Sequence, residues 1–143
     1  MFIGEHSHAL DSKGRLSIPA KFREQFNQGV VITRGLDRCL WVFPQREWET
    51  IAKKLSQLPI SQKKSRAFTR LMLAGAWDVE LDKQGRVIIP EYLRNFAAIS
   101  KQTVIAGIYN RLEIWDEDSW HDYTTKTEAS SDEIAEGMAE LGI

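Results

Sequence analysis

Two arginines carry the most recognisable chemistry in this chain. Arg15 and Arg86 each close a segment of the form Asp-x-x-Gly-Arg, namely Asp11-Ser12-Lys13-Gly14-Arg15 and Asp82-Lys83-Gln84-Gly85-Arg86. A guanidinium offers five donors in a rigid fork, which suits bidentate contact with guanine O6 and N7 or the clamping of a phosphate. Asp11 and Asp82 cannot attract a polyanion. Their chemistry is to accept the amides of the turn, or to orient the arginine through a charge-assisted bond. Gly14 and Gly85 supply a position at which positive φ costs little. Lys13 and Lys83 sit on the turns within reach of phosphates, and Arg23 and Arg94, each eight residues after its arginine, either supplement them or pair with nearby acids. Such a turn can also serve only to reverse a chain. Turning needs the Asp and the Gly, however, and has no comparable need for an outward arginine in both places.

Other chemistries find little footing. His6 and His8 would point to one side of a strand as a metal pair, yet no third ligand lies near them, and His121 sits beside Asp122 in an acidic stretch. The single cysteine, Cys39, lies in an apolar run and reads as core. No glycine-rich phosphate loop, nucleophile elbow or Ser-His-Asp order occurs. The expectation is a protein that is not an enzyme and needs no cofactor.

The elements that position the two arginines repeat as well. Leu10 to Arg23 returns 71 residues later as Leu81 to Arg94, with seven of fourteen positions identical. The match then resumes at an offset of 72: Gly35-Leu36 with Gly107-Ile108, Leu40 with Leu112, Val42-Phe43 with Ile114-Trp115, and Trp48 with Trp120. Two copies are too few for a solenoid, so the chain is expected to form a pseudo-symmetric pair.

Within each copy the Asp-x-x-Gly-Arg turn is expected to join two strands. Leu16 and Ile18 alternate with Arg15 and Ser17, which predicts a half-buried strand with arginine outward. Pro19 and Pro90 suit the first turn of a short helix, with Phe22 and Phe26 sharing one face in the first copy. Ile88 replaces Ser17 on the outer face, so the second strand is expected to be covered by another element or another subunit. A second hairpin follows, from Val30 to Phe43 and from Thr103 to Trp115, and then a helix start at Pro44 and at Asp116. Between the copies a longer helix is expected, capped by Ser61, with Phe68, Leu71, Met72 and Gly75 on one face and Lys63, Arg66 and Arg70 on another. Trp48, Trp115 and Trp120 read as core. The predicted fold class is α+β, a hairpin-helix-hairpin-helix unit stated twice. The corresponding divisions are 1–56, a connecting basic amphipathic helix over 57–76, a second repeat over 77–125, and an acidic segment over 126–143.

Charge is distributed unevenly. The chain of 143 residues has a net charge of −1, yet from Glu113 onward ten acids face one lysine, a net −9, which leaves +8 on residues 1–112. Lys53, Lys54, Lys63, Lys64, Arg66 and Arg70 lie in a stretch, Thr50 to Trp77, that holds no acid. Clustered Lys and Arg release counterions from phosphates, so the asymmetry points to nucleic acid, although a solvated basic helix face beside an acidic tail reads the same way. The absence of a long apolar run, of a signal-like N-terminus and of a second cysteine leads to the expectation of a cytoplasmic protein without a membrane span.

In the wider setting Asp-x-x-Gly-Arg-x-x-x-Pro, present twice, and in the stretch from Met1-Phe2-x-Gly4 to Trp120, the chain resembles the MraZ family of bacterial transcriptional regulators. The resemblance implies a swapped-hairpin (double-split) β-barrel of AbrB type built from both halves of one chain. It further implies assembly into a homo-oligomeric ring, association with the nucleoid, and repression through binding of double-stranded DNA with direct repeats in the promoter of its own gene, upstream of the division and cell-wall cluster. The residues implied in DNA binding are Asp11, Lys13, Gly14, Arg15, Asp82, Lys83, Gly85 and Arg86. Gln84 stands where the first copy has Lys13, which would make the two motifs unequal toward phosphate. The alternative is an antitoxin-like or scaffold protein whose arginines recognise acidic side chains and whose segment from Glu128 to Glu140 folds on a protein partner.

Overall fold

β-Branched and aromatic residues concentrate in the runs 30–34, 40–44, 102–109 and 111–116, and these become the centre of a sheet. The computed structural model describes all residues, 1–143. The first half contains β1 (Phe2–Ala9), β2 (Arg15–Ser17), a 3-10 helix (Ala20–Phe26), β3 (Val30–Arg34), β4 (Leu40–Pro44) and α1 (Gln45–Ser56). A connector of α2 (Lys63–Thr69) and a π turn (Arg70–Ala74) leads to β5 (Trp77–Val79), β6 (Arg86–Ile88), α3 (Glu91–Phe96), β7 (Gln102–Tyr109), β8 (Arg111–Asp116) and α4 (Glu117–Ala129). The chain closes with α5 (Ser131–Gly137) and a 3-10 turn at Ala139–Leu141. The class is mixed α+β, with two copies of one unit in tandem.

The six-stranded antiparallel sheet has the order β1-β7-β8-β4-β3-β5, and β2 pairs with β6 in a separate two-stranded ladder. Exchanging the two halves turns this order into its own reverse, so a pseudo-twofold axis passes between β4 and β8. The first strand of each half has crossed to the other half. β1 pairs with β7 over eight residues, with His6 opposite Ile105, and β5 pairs with β3 over three, with Trp77 opposite Ile32. The expected first hairpin is therefore corrected in both copies. Each Asp-x-x-Gly-Arg turn is closed by a backbone bond, Asp11 N to Arg15 O at 3.0 Å and Asp82 N to Arg86 O at 2.9 Å. Beyond it the two strands diverge into different ladders, because each finds its long-range partner in the opposite half. The sheet is open, with β1 and β5 as its edges, and does not close into a barrel.

One apolar face of the sheet and the β2–β6 ladder enclose a single core. Leu16, Ile18, Phe22, Phe26, Val30, Ile32, Leu40 and Val42 come from the first half, and Val87, Ile89, Leu93, Ala97, Ile105, Leu112 and Ile114 from the second. Burying each large member contributes about 1.5–3 kcal/mol, and both halves supply members to the one cluster. Alternate residues face the other side of the sheet, where Phe43 packs on Trp48 of α1 and Trp115 on Trp120 and Tyr123 of α4. Trp115 is buried, while Trp48 and Trp120 are only half-buried.

The connector departs from expectation. Ser61 does not cap it; the helix starts after Gln62, which makes no side-chain cap bond, and Pro59 to Gln62 form a turn instead. The π turn then buries Met72, whose carbonyl accepts from the Thr33 hydroxyl at 2.7 Å. Ile88 remains 48% exposed, so no element of the chain covers the outer face of β6. The acidic C-terminal segment is helical within the chain itself, since α4 runs through to Ala129 and α5 follows. No helix is long and apolar enough to cross a membrane.

Candidate nucleic-acid interface

Each aspartate clamps its loop at three points, two of them on the arginine. Asp11 Oδ1 accepts from the amides of Lys13 and Arg15, both at 2.9 Å, while Oδ2 accepts from Arg15 Nε at 2.6 Å. Asp82 repeats the pattern with the Gln84 and Arg86 amides at 2.9 Å and Arg86 Nε at 2.8 Å. The two roles expected for the aspartates, tying the loop and orienting the arginine, are performed by one carboxylate. Gly14 and Gly85 both stand at φ 77°, where a side chain would strain the backbone, and their amides close the turns on Asp11 O and Asp82 O.

The clamp uses Nε and leaves the outer edge of the fork open. Neither guanidinium makes a hydrogen bond through its Nη groups, and Asp11 Oδ2 lies 3.9 Å from Arg86 Nη1. The Arg15 and Arg86 side chains are 28% and 26% exposed. They are therefore braced rather than buried.

The ladder brings the two clamps together. Arg15 pairs with Ile88 and Ser17 with Arg86, so both arginines stand on one two-stranded ribbon with Leu16 and Val87 buried beneath it. Two flanking bonds lock the loops across the halves: Ile18 N donates to Gly85 O at 2.9 Å, and Ile89 N to Gly14 O at 2.8 Å. The result is one surface carrying two acids and two arginines, with exposed Lys13 and Lys83 on its rim, neither in a salt bridge.

These contacts stabilise the ionised carboxylates. Asp11 is held down to about 2, chiefly by the Arg15 amide, opposed by partial desolvation and reinforced by the Arg15 side chain and the Lys13 amide. Asp82 is lowered for the same reasons, with the Arg86 amide foremost. Both clamps are therefore fully charged at neutral pH.

Arg23 and Arg94 do not pair with acids. Arg23 Nε donates to Ile18 O at 2.8 Å and Arg94 Nε to Ile89 O at 3.0 Å, and each side chain rests against the glycine of the opposite loop. Only their recurrence at matching positions hinted at this in the sequence. Lys63 and Lys64 on α2 and Arg70 at the start of the π turn are exposed, and Arg66 donates to Ile60 O. His6 and His8 are half-buried on one side of β1. The ring of His6 meets Phe22 edge-on, and burial, then His6, then Arg23 lower the pKa of His8. No three His, Cys, Asp or Glu side chains converge to hold a metal ion. Cys39 is buried, which pushes its thiol well above the ordinary range.

Comparison with known proteins agrees with the doubled architecture. The family described as "MraZ protein, putative antitoxin-like" matches residues 1–71 and again 72–141. Proteins named "Transcriptional regulator MraZ" are similar over essentially the whole chain. That of Pediococcus pentosaceus is 50% identical over 143 residues and that of Halothermothrix orenii 49% identical over 143, each match covering 100% of both chains. That of Carboxydothermus hydrogenoformans is 48% identical over 141 residues, 99% of both chains.

Proposed function

The chain belongs to the MraZ family, and from that premise we propose that it is a DNA-binding transcriptional regulator that reads sequence through the Asp11–Arg15 and Asp82–Arg86 loops. The observation that carries this reading is the pair of Asp-clamped guanidinium groups whose Nη edges have no hydrogen-bonding partner inside the protein. An arginine already fixed through Nε loses little freedom on docking and offers its outer edge to guanine O6 and N7 or to a phosphate. Gly14, Gly85, Asp11 and Asp82 shape the loops, and Lys13 and Lys83 supply phosphate contacts that set register.

The finer reading is of a repressor acting on repeated boxes in the promoter of its own gene, ahead of the division and cell-wall cluster. One good bidentate pair discriminates by about 1–3 kcal/mol per base, so a ring of subunits engaging direct repeats one helical turn apart would gain the rest through effective concentration. We read the crossed strand pairing as kin to the swapped-hairpin arrangement of AbrB-type domains. The protein is then cytoplasmic and nucleoid-associated.

A salt titration tests the reading against its rival. Binding to a duplex containing the repeats upstream of the gene is expected to fall steeply and linearly on logarithmic axes as salt rises. A duplex ignored even at low salt would overturn it and favour the antitoxin-like or scaffold reading, in which α4 and α5 present the acidic segment to a protein partner.

A further inference from the structure

The two loops are held in place by residues of the opposite repeat. Arg23 lies in the 3-10 helix of the first half, yet its side chain stands against Gly85: a Cβ built there would lie 2.5 Å from Arg23 Cδ and Cζ. Arg94, on α3 of the second half, stands against Gly14, where a Cβ would lie 3.4 Å from its Nε and Cζ. In both cases Nε is anchored to a carbonyl of the arginine's own half, Ile18 O or Ile89 O. The amide of that same isoleucine donates to the glycine carbonyl of the other loop. One residue thus binds the arginine on its carbonyl side and the opposite loop on its amide side.

Several features set this apart from ordinary packing. Neither arginine is spent on an acid. The planar guanidinium lies against the bare glycine: at Gly85 a Cβ would collide with it, while at Gly14 a Cβ would stand in ordinary contact with it. The arrangement recurs under the pseudo-twofold exchange, tighter at Gly85 than at Gly14.

We propose that Arg23 is a positioning residue for the Asp82–Arg86 loop and Arg94 for the Asp11–Arg15 loop, so that each repeat sets the height of the reading arginine carried by the other. This rests on the reading of the loops as DNA-binding. It adds that the two readers are coupled: neither repeat presents a working loop without the helix of its twin.

The test has two arms on the full-length, assembled protein. In hydrogen exchange, Arg23→Met is expected to speed exchange of the Gly85 and Arg86 amides about fivefold, the loss of one ordinary hydrogen bond, and to leave Gly14 and Arg15 unchanged. Arg94→Met is expected to do the reverse, more weakly. Exchange that rises only in the arginine's own loop, or equally in both, overturns the proposal. Arg23→Lys and Arg94→Lys keep the charge but lose the planar fork, so they are expected to behave like the Met variants; rescue by lysine would mark a plain charge contact instead.

The second arm is a double-mutant cycle on binding to the repeat-containing duplex. Arg23→Met is expected to add its full loss to Arg15→Ala and almost none to Arg86→Ala, and Arg94→Met the converse. Additivity with both would overturn the coupling and make Arg23 an independent contact. Should Arg15→Ala and Arg86→Ala themselves leave binding intact, the DNA reading fails, while the exchange arm still decides which loop each arginine holds.

Discussion

The two halves of the chain share a plan but not a finish. In the first, β1 runs for eight residues and pairs along its whole length, whereas its counterpart β5 pairs over three. The first loop carries Lys13 where the second has Gln84, and Asp11 grips its arginine at 2.6 Å against 2.8 Å for Asp82. The second loop is pinned harder from outside, by Arg23 against Gly85. The outer face of the ribbon carries Ser17 in one half and a half-exposed Ile88 in the other. Helix α1 leads into a basic connector and α4 into an acidic tail. The two loops share one architecture, the first with the shorter internal contact and the second with the closer contact from the opposite half.

The sharpest way to break this contrast is at the glycines. Gly85→Ala is expected to destabilise the fold by about 3 kcal/mol, since strain at positive φ adds to a collision with Arg23. Gly14→Ala, which meets Arg94 only at ordinary contact distance and Ile89 O at 3.2 Å, is expected to cost about 1–2 kcal/mol, chiefly from backbone strain. Urea unfolding of the two variants checks the order; equal losses would remove the asymmetry.

Lys13→Gln makes the first loop resemble the second. If Lys13 touches a phosphate, the logarithmic salt slope of DNA binding falls by about 0.9 per contact in each loop, with sequence preference retained. Lys83→Gln offers the matching comparison from the other loop.

Acid distinguishes the clamps more gently. Both aspartates have folded values below the ordinary carboxylate range, so their stabilisation of the loops is complete above that range and is lost as pH falls through the folded values. Asp82, with the longer arginine contact, is expected to protonate first and Asp11 only near 2. Carboxyl carbon chemical shifts followed from pH 6 downward report the order.

Smallest in its effect on the fold is Ile88→Ser, which restores the residue type of Ser17. Because Ile88 is half-exposed, stability should change by no more than about 0.5 kcal/mol. If another subunit covers that face, the mass measured by light scattering should drop.

Much of this plan could be read from residues alone, because its signals are local. The Asp and Gly of each turn, the alternation of Leu16 and Ile18, the prolines that open the short helices and the doubling itself are all properties of a few neighbouring positions. The exchange of β1 and β5 was not legible. A turn specifies that the chain bends, not which distant strand its arms will join, and three-residue strands such as β2 and β6 hold too little pattern to choose a partner. A related slip occurs in the second hairpin, where Ile105 takes the place of Ile32 opposite the crossed strand, one residue beyond the sequence alignment. The five-residue link between β3 and β4 shrinks there to Asn110 alone, between Tyr109 and Arg111, which absorbs the shift. At the site, the arginines and their aspartates were legible and the bracing by Arg23 and Arg94 was not, since it spans the two halves.

The central claim, that both clamped arginines read DNA, is tested most directly by fluorescence anisotropy on a labelled duplex of the repeats upstream of the gene. Arg15→Ala and Arg86→Ala are compared with the unaltered protein at equal assembled mass. Loss of at least about tenfold in affinity for each, with the mass unchanged, is the expected result. Two correctly assembled variants that bind the duplex as tightly as the unaltered protein would contradict it.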